Sequence, residues 1–258
     1  MQAGAVKQRV PVLSLRAIRK SFAGTPVLRD VNIDIHPGET VGLLGDNGAG
    51  KSTLIKILAG VHRPDSGEMD IDGQPVDLRR YSIHRARACG IETVFQENSL
   101  GEQQQLWRNI FAGRELTNRF GLIRVAEQKR VTMEILRRYV GLQGAAINAD
   151  SRVATLSGGE RQGVAIGRAM YFNARLVILD EPTTALALGE VGRVLGFVHQ
   201  LNSDGKACLF ISHNLGQVYR IADRFLILDR GKLMAEYAKS EISAEQLSRE
   251  MLQMHSQG

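Results

Sequence analysis

Long apolar runs are missing from this sequence: none approaches the ~18 residues that a membrane-spanning helix requires. The basic start, with Lys7, Arg9, Arg16, Arg19 and Lys20, has no signal-peptide apolar region beside it. Both absences lead us to expect a chain that stays in the cytoplasm. Cysteine is scarce, and Cys89 and Cys208 stand far apart with no CxxC spacing, so both read as reduced, structural residues. Cys208 sits in the apolar run Ala207-Cys208-Leu209-Phe210-Ile211, where a cysteine behaves as a small hydrophobe. Acids are absent from the first twenty residues, which makes much of the formal charge of +6 local. Aromatic and basic residues do not interleave, so a scattered solvated surface is favoured over nucleic-acid binding. Repeats and low-complexity tracts are also lacking. What remains is the composition of an ordinary globular protein, 43% hydrophobic and 23% charged over 258 residues, enough for one domain with a subdomain.

The first part of the chain reads as strands. Val12 to Leu15 is apolar-rich, and Val31-Asn32-Ile33-Asp34-Ile35 alternates with the period of a half-buried strand. After the turn at Pro37-Gly38 comes Val41-Gly42-Leu43-Leu44, a run without alternation that suits a strand covered on both faces of a parallel sheet. Leu54, Ile55, Ile57 and Leu58 then take up helical spacing, and Gly67, Gly73 and Pro75 punctuate another short strand region. From about 97 to 160 the pattern predicts a helical subdomain, with apolar-periodic stretches such as Val131 to Tyr139. Strand character returns at Leu176 to Leu179, at Cys208 to Ile211 and around the turn at Arg230-Gly231. The tail, 243–258, carries Leu247, Met251 and Leu252 at the spacing of a short amphipathic helix.

The strongest local signal is Gly45-Asp46-Asn47-Gly48-Ala49-Gly50-Lys51-Ser52, followed by Thr53, set between an apolar strand and a helix. It satisfies GxxxxGK[ST] in the context that pattern requires. Glycines let backbone N–H groups converge on phosphate oxygens, and the new helix offers its positive end. Lys51 adds a cation near the β- and γ-phosphates, and Ser52 is a ligand for Mg²⁺. Much later, Leu176-Val177-Ile178-Leu179 runs into Asp180-Glu181-Pro182. Adjacent residues of an extended segment point in different directions, so the two acids can take different jobs. Asp180 suits the Mg²⁺ shell, and Glu181 suits the base toward an attacking water. Gln96 is placed to reach Mg²⁺ or that water and His213 to reach the γ-phosphate, although a lone polar residue at a strand end is commonly just satisfied in place. Leu156-Ser157-Gly158-Gly159-Glu160 reads as a loop and helix cap whose hydroxyl and free N–H groups can bind phosphate. Because it falls in the helical stretch, that phosphate can belong to another subunit.

The order of these motifs resembles the ABC ATPase family along nearly the whole chain: a phosphate loop, LSGGE at Leu156 to Glu160, the acids of Asp180-Glu181-Pro182 and His213 beyond them. The resemblance implies an α/β fold with a P-loop NTPase core, an antiparallel β subdomain and a helical subdomain, the ATP-binding domain covering 11–242. It implies a homodimer in which each MgATP lies between Gly45 to Ser52 of one copy and Ser157, Gly158, Gly159 and Glu160 of the other. Phe22 matches the aromatic that stacks on adenine, with a core aromatic as the alternative, and Lys51, Gln96, Glu181 and His213 take catalytic places. Within the family the chain is similar to the carbohydrate importers, in particular single-cassette ATPases for fructose or related monosaccharides. The segments that carry this are Gly45 to Gly48, Gly90 to Gln96, Asn109 to Glu115 and Gly159 to Ala165. One copy of each motif leaves room for one cassette. Transmembrane permease subunits, and indirectly a periplasmic or extracellular sugar-binding protein, are the implied partners, with the chain peripheral on the cytoplasmic face of the cell inner membrane. One departure stands out: Ala187 occupies the place where many members have an aspartate that links the two ATP sites. The ATPase of an exporter, or of an importer of a non-sugar substrate, is the nearest alternative. A chromosome-acting cassette would need sustained coiled-coil heptads, which are lacking, and a nonhydrolysing regulator would require Glu181 or Lys51 to be dispensable.

Overall fold

The computed structural model describes residues 10–95, 100–140, 147–184 and 186–256. The chain divides into two compact units: Met1–Thr93 with Arg175–Asp180 and Val198–Gly258, and Val94–Ala174 with Glu181–Phe197.

The first unit contains an antiparallel sheet of order β2-β1-β4-β5, formed by β1 (Leu13–Phe22), β2 (Thr25–Ile35), β4 (Ser66–Ile71) and β5 (Gln74–Pro75). In β2 the expected alternation is present, with Val31, Ile33 and Ile35 buried and Asn32 exposed between them. β1 runs well beyond the apolar stretch at Val12 to Leu15. Ala17 takes a left-handed φ of 48° and the register shifts between Leu15 and Ile18, which turns Ile18 inward and breaks the period-two pattern that marks a strand in sequence.

A second, six-stranded sheet has the order β10-β9-β3-β8-β7-β6, with β3 (Thr40–Leu44), β6 (Ile91–Val94), β7 (Leu176–Asp180), β8 (Ala207–Ile211), β9 (Arg224–Asp229) and β10 (Lys232–Ala238). β9, β3, β8 and β7 pair in parallel, and β10 closes the edge antiparallel. Every residue of β3 and β8 is buried, as a run without alternation requires of a strand covered on both faces. Buried Thr40 and half-buried Glu39 are tied to the neighbouring strand. The Thr40 amide donates to Asp223 at 2.8 Å, and Arg224 donates to both Glu39 carboxylate oxygens, at 2.6 and 3.0 Å. Cys208 lies in this core and burial pushes its thiol up, so it stays protonated and inert; neither Cys208 nor Cys89 is in a disulfide.

Helix α1 (Lys51–Leu58) follows β3 and turns Leu54, Ile55, Ile57 and Leu58 inward. Two short helices, α2 (Ile83–Ala88) and α7 (Leu215–Ile221), and the terminal α8 (Ala244–Ser256) complete the unit. Ser243 and Gln246 form reciprocal cap bonds at the start of α8, and Leu247 is fully buried.

In the second unit, α3 (Leu106–Phe111), α4 (Val125–Ile135) and α5 (Gly158–Tyr171) pack around Leu106, Phe111, Ile135, Leu136 and Val164. The helical stretch after Val131 does not end at Ile135; it widens into a π turn over Leu136–Val140. At Gly167 of α5 a Cβ would stand 2.6 Å from Ile135 Cγ2, so the glycine is what allows α4 and α5 to approach so closely. Glu181–Phe197 adds the first part of α6 (Leu188–Ser203) to this unit.

Candidate functional site

The carboxyl ends of the parallel strands in the first unit collect the glycine loop, Asp180 and His213. Leu43 of β3, Ile211 of β8 and Asp180 of β7 stand in one pairing row, so Asp180 lies two strands from the β3 end, about 10 Å at the usual strand spacing. Ligands of open α/β sheets bind at this edge. From β3 the chain enters 45–50, a loop whose three glycines all have positive φ: 149° at Gly45, 86° at Gly48 and 107° at Gly50. Two of them are required by neighbours as well as by backbone. A Cβ on Gly45 would stand 2.1 Å from the Leu228 carbonyl oxygen, and one on Gly50 would meet Leu28 at 2.9 Å and the Val27 carbonyl at 3.0 Å. The loop is held from behind by Gly231, whose N–H donates to the Ala49 carbonyl at 2.9 Å and whose carbonyl accepts from the Arg29 N–H at 2.8 Å.

Lys51 opens α1 and folds back along the loop, donating to the Gly45 carbonyl at 2.6 Å and the Asp46 carbonyl at 2.8 Å. Asp46, Asn47, Gly48 and Ser52 are exposed, while Ala49 is buried and Thr53 half-buried. The first turn of α1 carries no acidic residue and no side-chain cap, so its N–H groups and positive end are left for an anion. After β8, Ser212 is buried and His213 is exposed; the Ser212 hydroxyl accepts from the Asn214 amide at 3.1 Å, and Asn214 caps α7.

Phe22 ends β1 at a hairpin turn and is 42% exposed, which is not the setting of a core aromatic. His62 meets its ring edge-on with centroids 5.3 Å apart, and the Lys20 ammonium lies 5.3 Å from the ring centre. Asp65 fixes that group, accepting from Lys20 at 2.7 Å and from the Ser21 amide at 2.6 Å. The Lys20 ammonium and the Ser21 amide hold the Asp65 carboxyl below the usual carboxylate range.

Glu181, next to Asp180 in the chain, belongs to the second unit. Its φ of 48° is left-handed, a conformation that costs a non-glycine residue about 1–3 kcal/mol and persists where the surrounding structure holds it. Thr184 bonds it twice, from its amide to the Glu181 carbonyl at 3.2 Å and from its hydroxyl to Oε2 at 3.3 Å.

In the same unit Ser157 caps α5. Its hydroxyl accepts from the Glu160 amide at 3.3 Å while the Glu160 carboxylate accepts from the Ser157 amide at 2.7 Å, a complete capping box. Arg161 donates to the Leu156 carbonyl at 3.0 Å and fixes the preceding loop. Gln96 lies outside the described residues.

The sequence reading missed Glu190, which accepts from the Ser157 hydroxyl at 2.9 Å, the Gly159 amide at 3.2 Å and the Ala187 amide at 3.2 Å. The Ser157 hydroxyl, then the Ala187 amide, hold its carboxyl below the usual range against the opposing effect of desolvation. Half of a capping box was visible, an acid three residues after Ala187, but the link to Ser157 spans 33 positions and leaves no local pattern. His62 and Asp65 near Phe22 were missed for the same reason, each lying 40 or more positions from the residue it meets.

The ABC transporter family matches residues 28–184 of the chain. The chain is 40% identical over 240 residues to the xylose/arabinose import ATP-binding protein of Sulfolobus acidocaldarius, covering 93% of each. It is also 40% identical over 241 residues to a ribose import ATP-binding protein of Burkholderia ambifaria, covering 93% of this chain and 46% of that one, so it spans about half the length of this ribose-import relative. Among solved structures, a nucleotide-free ATP-binding cassette from an ABC transporter superposes with a TM-score of 0.77 at 24% identity, covering 92% of this chain and 95% of that one, a likeness of fold alone. A dimeric ATP-binding cassette in a post-hydrolysis state, bound to ADP and phosphate, gives 0.74 at 25% identity over 88% of this chain and 98% of that one. With a motif-bearing edge on an α/β sheet, an antiparallel sheet beside it, and these matches over most of its length, the chain belongs to the ABC transporter family, as an ATP-binding cassette.

Proposed function

We propose that this chain binds and hydrolyses ATP to energise an importer of a simple sugar, working as a peripheral subunit on the cytoplasmic face beneath separate transmembrane permease subunits. The observation that carries the ATPase reading is the shared edge of the parallel sheet, where the glycine loop, Asp180 and His213 leave three neighbouring strands side by side. The substrate class follows from the relatives, which import xylose/arabinose and ribose, so a pentose is favoured over fructose. Among the described residues no helix is long and apolar enough to cross a membrane, which agrees with a separate permease.

In this reading the N–H groups of 45–50 and the start of α1 receive the phosphates, Lys51 leaves its two carbonyl partners for a phosphate oxygen, and Phe22 offers its exposed face to adenine. The donor chemistry fits Mg²⁺: the exposed Ser52 hydroxyl and the Asp180 carboxylate are hard oxygen ligands, and Mg²⁺ is usually held by one or two carboxylates together with substrate phosphates. When bound, Mg²⁺ neutralises phosphate charge as the terminal P–O bond breaks. Glu181 takes a proton from the attacking water, His213 contacts the γ-phosphate, and ADP and phosphate are released. Gln96 keeps its proposed place beside the metal and the water.

The Ser157 hydroxyl and the Gly158, Gly159 and Glu160 backbone at the start of α5 serve the ATP held by a second copy; a solved cassette of this fold is a dimer. Closure of two copies on ATP and reopening after hydrolysis then drive the permease, since coupling needs states that differ in affinity for ATP and ADP. An external sugar-binding protein acts through the permease, and no residue here needs to touch the sugar. Reconstitution with the permease and binding protein that co-purify with the chain tests this. ATP hydrolysis stimulated by xylose, arabinose or ribose is expected; hydrolysis indifferent to every sugar, or co-purification with chromatin, would sink the reading.

A further inference from the structure

The donors at the start of α5 are already engaged. The Ser157 hydroxyl has a single proton, and it is given to Glu190 Oε1. The same carboxylate oxygen accepts from the Gly159 amide, and Oε2 accepts from the Ala187 amide. The fit is close. A Cβ on Gly159 would stand 2.7–2.8 Å from Glu190 Cβ, Cγ and Cδ, so glycine at 159 is the condition for this carboxylate to reach its place. Ala187 has no side chain to cap the turn into α6, and Glu190 is its acceptor instead. The start of α1, in contrast, has no carboxylate in its first turn.

One hydroxyl proton and one amide cannot serve a carboxylate and a phosphate at once, and two anions on the same donors repel. We propose that Glu190 is an internal stand-in for phosphate: in the separated subunit it occupies the Ser157 and Gly159 donors, and the phosphate of ATP held by a second copy must displace it. Arg193, with a guanidinium nitrogen 3.9 Å from Oε1, is one turn further along the helix and can receive the displaced carboxylate. Since the second oxygen of Glu190 holds Ala187, displacement also releases the end of the 181–187 segment that begins with Glu181. Phosphate arrival at α5 is thereby coupled to the segment bearing the proposed base, without an aspartate at 187. The inference rests on the shared site proposed above.

The test uses the full chain carrying Glu181→Gln, so that ATP is not turned over, and reads the ATP concentration at half-maximal association of two copies by analytical ultracentrifugation. Nucleotide affinity of the separated subunit and melting temperature are measured in parallel. Glu190→Ala is expected to lower the association midpoint by about tenfold, within the usual range of coupling between sites. Glu190→Gln, which keeps an acceptor oxygen and loses the charge, is expected to fall between parent and Glu190→Ala, and it decides the matter alone if the alanine variant does not fold. Ser157→Ala should raise the midpoint. An unchanged or raised midpoint in folded Glu190 variants would overturn the stand-in role while leaving the shared site intact. An unchanged midpoint in Ser157→Ala, or no ATP-driven association in any chain, would overturn the shared site and this inference with it.

Discussion

Glu181 and Gly45 are both held in backbone conformations with positive φ, for opposite reasons. Gly45 has no alternative: with φ of 149° and the Leu228 carbonyl 2.1 Å from where a Cβ would stand, Gly45→Ala must move the loop off the sheet edge. A loss of roughly 2–4 kcal/mol is expected, or about 5–15 °C in melting temperature, together with loss of nucleotide binding measured by titration. Glu181 adopts φ of 48° despite its side chain, a conformation that costs a non-glycine residue about 1–3 kcal/mol. Its replacement by Gln keeps the shape and removes the proposed base. Single-turnover hydrolysis in the assembled transporter should slow by roughly 10²–10⁴, about 3–5 kcal/mol of barrier, with ATP binding retained. Near-normal turnover would take Glu181 out of that role.

At the scale of elements, the hairpin of β1 and β2 shows how a flexible strand end is fixed for stacking. Asp65 accepts from Lys20 and from the Ser21 amide, which anchors the last residues before Phe22. Because its carboxyl is held below the ordinary range, first by Lys20, the sign of the pH effect is set. The contribution is present above the unfolded value near 3.9 and is lost as pH falls through the lower folded value. Asp65→Asn should therefore lower the melting temperature at pH 7 and converge with the parent in strong acid. The effect is expected within about 1 kcal/mol, since the pair is partly exposed. Nucleotide affinity should fall alongside through loss of Phe22 placement.

The same hairpin marks the limit of what local sequence carries. β3, its glycine loop and α1 were legible because strand, loop and helix are contiguous and each announces itself by burial, glycine spacing and helical period. β1 was only half legible, because the bulge at Ala17 erases alternation after Leu15. The link of Glu190 to Ser157 and Gly159, and that of Asp65 to Lys20 and Ser21, were not legible, since each joins residues 31–45 positions apart that only folding brings near.

For the molecule as a whole, the division into two units matters more than any single motif. The phosphate loop, Asp180 and His213 belong to one unit, while Glu181 and the capped start of α5 belong to the other. A glycine loop by itself describes a pocket within one chain. With Ser157 to Glu160 read as donors to a second copy, the functional object becomes a dimer whose contact includes ATP.

Complementation between two inactive chains tests that claim most directly. Lys51→Ala removes the phosphate-loop cation and Ser157→Arg blocks the start of α5. If each ATP lies between copies, a mixed dimer has one site with both parts intact and one with neither. Single-turnover hydrolysis absent from either variant alone should then return in the mixture to about a quarter of the parent level, from half the dimers carrying one working site of two. A mixture no more active than its separate components would contradict the shared site.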